Sequence, residues 1–174
     1  MSELVLLSFS HIFIVFICIA SIVFIPKLFK HSSALTHSYL TYFIISLIVI
    51  NQGMDLYREG YLDEWKLGLP LHLCDFSSFS ILIYLLTKKR DFFIFAFFFG
   101  IAGAGMSILT PDTGYGFPAV GYIQNQIGHT AIILGVSYAM VIDNQRPYFK
   151  DVARALGFAT FLLIIMYGVN YLLG

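Results

Sequence analysis

Apolar residues fall in six long runs, at about residues 4–29, 38–55, 70–87, 92–110, 119–142 and 152–173, with short polar stretches between them. The second run is continuous only over 39–51 and reaches Leu56 by taking in Asn51, Gln52 and Asp55. Most runs approach the ~20 residues that a helix needs to cross the hydrocarbon core of a bilayer. Backbone N–H and C=O groups in lipid must be satisfied within their own segment, so the runs predict helices. A β-barrel would alternate in polarity, and Phe92-Phe93-Ile94-Phe95-Ala96-Phe97-Phe98-Phe99 does not. The pattern predicts an all-α integral membrane protein, a single polytopic domain over residues 1–174 folded as a six-helix transmembrane bundle.

Composition agrees. Charged residues make up 11% of the 174, against about 25% in a soluble domain, and the mean hydropathy is +0.83. Basic and acidic residues balance at ten each, and no basic, aromatic-studded stretch points to nucleic acid. Cys18 and Cys74 are too few for a disulfide framework, and Cys18, midway along an apolar run, reads as a small core or lipid-facing residue. The first run does not read as a signal peptide, because it is too long, lacks a basic leader and is followed by no small-residue cleavage site. No nucleotide-binding loop, zinc-finger spacing, dinucleotide fingerprint or lipidation motif is present, so no cofactor is predicted.

The basic residues set an orientation. Lys27 and Lys30, then Lys88, Lys89 and Arg90, then Arg146, Lys150 and Arg154 all fall on one side of the bundle. The other side has Arg58 and Lys66 among Asp55, Glu59, Asp63 and Glu64. Cytoplasmic loops carry the excess of Lys and Arg. The expectation is a multi-pass protein of the cell membrane, with both termini and the loop 110–118 outside.

Three polar clusters then share the outer end: residues 69–75, residues 122–129 and the loop holding Thr110 and Asp112. Polar groups inside a membrane bundle are expensive and mark candidate sites. In the first cluster, Pro70 suits the first position of a helix. Cys74 would lie near that helix's positive end, which favours a thiolate, while the neighbouring Asp75 opposes it. His72 and Asp75 are three apart and share a face, whereas Cys74 lies about 100° around from Asp75. Cys74 is therefore expected to face another helix, with His72 and Asp75 supporting the pocket. The partner is predicted on the fifth run, where Tyr122, Asn125, Gln126 and His129 form one polar stripe at helical spacing. His129 lies deepest, beside Gly128. A buried histidine near a cysteine can act as its general base, and Asn125 is placed to orient the ring.

Blander readings compete. A cysteine in a membrane helix is more often inert packing, and an intramembrane histidine more often a structural hydrogen-bonder; the stripe and the shared end favour the pair. A metal or haem site built from His72, Cys74, Asp75 and His129 lacks a ligand spacing, so no metal is predicted. Asn170 ends on the pocket side and is grouped with its supporting residues. Taken singly, Asn51, Asp55, Asn170 and Tyr171 read as interfacial polar residues and an aromatic anchor. Gly100, Gly103, Ala104 and Ser107 predict a close helix contact, and the Phe-rich run around them suits lipid. No internal repeat is visible, which argues against an inverted-repeat transporter.

Five blocks carry a resemblance: Leu-Pro-Leu-His-Leu-Cys at 69–74, Leu-Thr-Pro-Asp at 109–112, Gly-His at 128–129, Arg-Pro at 146–147 and Asn-Tyr-Leu-Leu-Gly at 170–174. From about residue 38 to the end the chain resembles the YwaF-type integral membrane family, related to the eukaryotic transmembrane protein 164 group. The resemblance implies a lipid acyltransferase, acting on lysophospholipid or acyl lipid, whose membrane-embedded Cys and His match Cys74 and His129. Distantly similar lipid hydrolases use a comparable nucleophile and histidine. Members usually continue past the last block, whereas this chain stops at Gly174. Two other classes remain open at this point: a small-solute-binding subunit of a membrane transporter, and a non-catalytic membrane protein.

Overall fold

The structure is a computed structural model and describes residues 6–58, 66 and 69–173. Six helices follow one another: α1 (Phe9–Leu28), α2 (Ala34–Asp55), α3 (Leu73–Thr87), α4 (Arg90–Leu109), α5 (Val120–Val141) and α6 (Phe149–Leu173). A wider turn carries α2 on to Arg58. Helices α1, α2, α4 and α6 are long and apolar enough to cross a membrane. Of the six spans expected from the sequence, four thus have the length and hydropathy of a membrane crossing. Helix α3 is apolar but has 15 residues, and α5 opens on the polar residues of the stripe.

Helix starts differ from the apolar runs wherever polar side chains extend a helix backwards. Helix α2 begins before residue 38 because the Ser33 hydroxyl accepts the Thr36 N–H at 3.3 Å, a capping bond that satisfies a free donor of the first turn. Helix α6 starts at Phe149, where Asp151 Oδ2 accepts the Tyr148 N–H at 2.8 Å. Helix α3 starts later than expected. Its N-cap is His72, whose N–H donates to Asp75 Oδ2 at 2.9 Å. Pro70 therefore precedes the helix instead of opening it, and Cys74 sits in the first turn.

Helix α5 is the centre, packed against α1, α2, α3 and α4. Its glycines Gly121, Gly128 and Gly135 recur every seven residues, a spacing that keeps one seam along a helix facing a partner. A Cβ at Gly128 would overlap the Asn51 amide, one at Gly135 would come 3.6 Å from Ile44, and one at Gly121 would come 3.0 Å from the Arg58 guanidinium. The α2 residues 58, 51 and 44 are themselves seven apart, so α2 runs antiparallel along this seam. Ile44, Ile48, Ile81, Tyr84 and Phe93 fill the core beside it.

Helix α4 contains a π-helical segment, Ala96–Gly100. Gly100 backs onto Ser77 of α3 and Ile132 of α5, the close contact its small residues predicted. The phenylalanines are less lipid-facing than expected. Phe93 and Phe95 are buried, Phe93 against Tyr84, and Phe95 between Phe99 and Phe158. The local run has no periodicity, so only packing decides which rings turn inward.

Helix α6 is peripheral. It packs on the first turns of α4 and buries Asp151 and Ala155. The end of the bundle holding the eight basic residues is closed by ion pairs. Arg90 grips Asp151 with two bonds of 3.1 and 2.7 Å and also donates to the Arg146 carbonyl at 2.8 Å. Asp143 accepts from Lys88 at 2.7 Å and from the Tyr84 hydroxyl at 3.0 Å.

Candidate functional site

At the opposite end a cavity of about 720 Å³ lies between α2, α3, α5 and the loop 110–119. Cys74 and His129 both line it. The three polar clusters singled out in the sequence therefore meet, because α3 and α5 start, and α4 ends, at the same end of the bundle.

Cys74 is half-buried in the first turn of α3. A Cβ at Gly103 would fall 3.3 Å from its sulfur, so the thiol rests on the bare backbone of α4. Asp75 turns the other way. Its Oδ1 accepts from Gln52 Nε2 at 3.1 Å, and its Oδ2 accepts the His72 N–H and lies 3.5 Å from His72 Nδ1. The His72 side chain is 76% exposed at the mouth. The divergence of Cys74 from His72 and Asp75 follows from helical geometry, although all three line the cavity.

His129 is oriented by a backbone group. Its Nδ1 lies 2.8 Å from the Asn125 carbonyl oxygen. A carbonyl only accepts, so Nδ1 carries the proton and Nε2 keeps its lone pair. Nε2 makes no hydrogen bond among the described residues. The neutral ring is thus held in the tautomer that can accept a proton. The expected orienter was Asn125, and it acts through its main chain. The Asn125 side chain instead ties α5 to α4, accepting from the Ser107 hydroxyl at 3.0 Å and donating to the Ser107 carbonyl at 3.2 Å.

The polar stripe of α5 splits. Asn125 and His129 face the cavity, and Tyr122 lines it while passing its hydroxyl proton to His11 Nδ1 at 2.8 Å. The His11 Nε2–H donates to the Leu109 carbonyl, which fixes that tautomer too. Gln126 does not line the cavity. It is turned about 100° from Asn125, buried between α1 and α4, where Nε2 donates to the Ile108 carbonyl of α4 at 3.2 Å and Oε1 lies 3.8 Å from Cys18 Sγ of α1.

Asp112 lines the mouth. Thr110 and Asn170 do not. The Thr110 hydroxyl folds back onto the Met106 carbonyl at the end of α4. Asn170 is exposed on α6, which packs on α4 near its other end, while Lys66 Nζ donates to the Leu173 carbonyl at 2.6 Å close by. Among the described residues no three His, Cys, Asp or Glu side chains are grouped closely enough to hold a metal ion.

The wall from α2 is where sequence reasoning fell short. Asn51 and Asp55 are not merely interfacial. Asn51 Nδ2 donates to Asp55 Oδ2 at 2.9 Å, and Gln124 Nε2 donates to Asp55 Oδ1 at 2.6 Å. Arg58 then donates to Gln124 Oε1 at 2.8 Å. The signal was present: Asn51, Asp55 and Arg58 have the same i, i+4, i+7 spacing that marked the stripe on α5. Gln124 lies off that stripe and gave none.

A profile of a family of membrane proteins covers almost the whole chain, residues 4–174. The chain belongs to the TMEM164 family. Membership agrees with the four helices able to cross a membrane. The TMEM164 match takes in α1, with His11 and Cys18, which the resemblance starting at residue 38 left out. The YwaF-type affiliation rests on that resemblance alone. Comparisons with curated proteins and with solved structures found no match.

Proposed function

We propose that this TMEM164-family protein transfers or hydrolyses lipid acyl groups in the membrane, with Cys74 as nucleophile and His129 as general base. One observation carries the reading: the thiol and an imidazole whose Nε2 lone pair is unengaged line the same cavity. The resemblance of Pro-Leu-His-Leu-Cys and Gly-His to the transmembrane protein 164 acyltransferases points the same way.

In this reading Nε2 of His129 takes the thiol proton as sulfur attacks the ester carbonyl carbon. The C–S bond forms, the ester C–O bond breaks, and the departing lysolipid oxygen receives the proton from His129. A second lysolipid hydroxyl, or water, then attacks the thioester carbonyl and gives its proton to the ring. The C–S bond breaks and the proton returns to sulfur. By the distribution of Lys and Arg, the cavity faces the outer side of the cell membrane.

The test is trapping of the acyl-thioester. Purified protein is incubated with radiolabelled acyl phospholipid and quenched in acid, and label released by neutral hydroxylamine is counted. Label is expected on the native chain and absent from Cys74→Ala. Equal label on both would exclude Cys74. A small molecule that co-purifies with both, without lipid turnover, would favour solute binding instead.

A further inference from the structure

Lys88, Arg90 and Arg154 each sit directly on a carboxylate at the far end of the bundle. Arg58 does not. It is exposed and lines the cavity, and its one hydrogen bond among the described residues goes to the neutral amide of Gln124. The orientation of that amide is forced. Asp55 only accepts and a guanidinium only donates, so Nε2 of Gln124 must face Asp55 and Oε1 must face Arg58. Gln124 thereby separates the two charges. Asp55 is satisfied by Gln124 and Asn51, while among the described residues most of the Arg58 donors stay unused.

Gly121 supplies the seat. A Cβ there would come 3.0 Å from Nη2, 3.2 Å from Nη1 and 3.5 Å from Cζ. The whole guanidinium rests against the backbone of α5, where a Cβ would push it back by a few tenths of an ångström and a larger side chain would take its place. A planar guanidinium fork matches the paired oxygens of a phosphate.

We propose that Arg58, seated on Gly121 and aimed by Gln124, binds the phosphate of a phosphate-headed lysolipid in the cavity that holds Cys74 and His129, an assignment that rests on the acyl-transfer reading of that cavity. A fatty acid carboxylate would also fit the fork, but it brings no hydroxyl to acylate, and a lysolipid does. Asp55, Asp75 and Asp112 also line the cavity, so the fork of Arg58, and not the overall charge of the wall, would place the anion.

The experiment titrates the full chain in detergent by native mass spectrometry, as native protein, Arg58→Gln and Gly121→Leu. The probes are 1-oleoyl lysophosphatidylglycerol, 1-oleoylglycerol, oleate and inorganic phosphate. The native chain is expected to bind the phosphate-headed lipid about tenfold more tightly than 1-oleoylglycerol, the order of one charge-assisted contact. Both variants should lose that preference and keep their affinity for 1-oleoylglycerol. If Gly121→Leu does not fold, Arg58→Gln decides. A preference that survives in Arg58→Gln, or its absence from the native chain, overturns the proposal. So does equal preference for oleate, or binding of inorganic phosphate without preference among the lipids. The same samples are assayed for the Cys74 thioester. Thioester without headgroup preference removes the Arg58 site alone; headgroup preference without thioester removes the acyl-transfer function and leaves Arg58 as a headgroup site.

Discussion

The two ends of this bundle use their polar side chains differently. At the basic end, charge meets charge directly: Arg90 on Asp151, Lys88 on Asp143, Arg154 on Asp91. Each pair ties one helix or loop to another. At the other end amides stand between the charges. Gln52 faces Asp75, Asn51 and Gln124 face Asp55, and Gln124 separates Asp55 from Arg58. A direct ion pair consumes the donors of the cation. An amide relay satisfies the carboxylate and leaves the cation, the thiol and an imidazole nitrogen facing open space. The first arrangement closes an end of a bundle, and the second keeps a polar cavity open.

The largest effect is expected where a buried charge loses its partner. Arg90→Ala strands the Asp151 carboxylate, whose side chain is 1% exposed. The thermal midpoint in detergent should fall by about 5–10 °C. Below that midpoint acyl-thioester formation should persist, because the cavity lies at the other end. Loss of thioester in a still-folded Arg90→Ala protein would break the separation of the two ends.

Gly128→Ala comes next. Its Cβ would overlap the Asn51 amide on the seam between α2 and α5. Overpacking of this kind costs about 1–3 kcal/mol, and here it should also move the α2 wall and lower the thioester yield. Asn51→Gly in the same chain should relieve the overlap but lose the bond to Asp55, so only part of the midpoint should return. Full activity with an unchanged midpoint in Gly128→Ala would refute the close approach.

Gln124→Leu leaves Asp55 Oδ1 without its amide partner and should cost about 1–3 kcal/mol in unfolding measurements. Arg58 should then swing toward Asp55, and the preference for phosphate-headed lipid should fall. The smallest effect belongs to the exposed pair Arg154–Asp91, whose side chains are 62% and 74% exposed. Arg154→Gln should change stability by less than about 0.5 kcal/mol. A larger loss would show that α6 depends on this contact to stay docked.

Particular residues show how far the sequence could be read. Long apolar runs fixed the helical class, since lipid leaves the backbone no other local solution. Helical spacing separated Cys74 from His72 and Asp75, and the order of the runs placed Cys74 and His129 at one end. The same spacing misassigned Gln126, because an i, i+3, i+4 stripe is wide enough to face two neighbours, here the cavity and α1. It placed Asn170 by its end of the chain alone, without knowing that α6 would pack on α4 near its start and leave Asn170 exposed.

What the sequence determined by itself was periodicity and polarity: a membrane-embedded helical chain, its basic end, and the residues with chemistry at the opposite end. Tertiary structure decided which of those residues meet. The His129 tautomer is local, set by a main-chain carbonyl one turn back on the same helix. The seat of Arg58 is not local, since it lies on a glycine sixty-three positions along the chain. It arises only when α2 and α5 come close enough for the bare backbone of α5 to hold an α2 side chain.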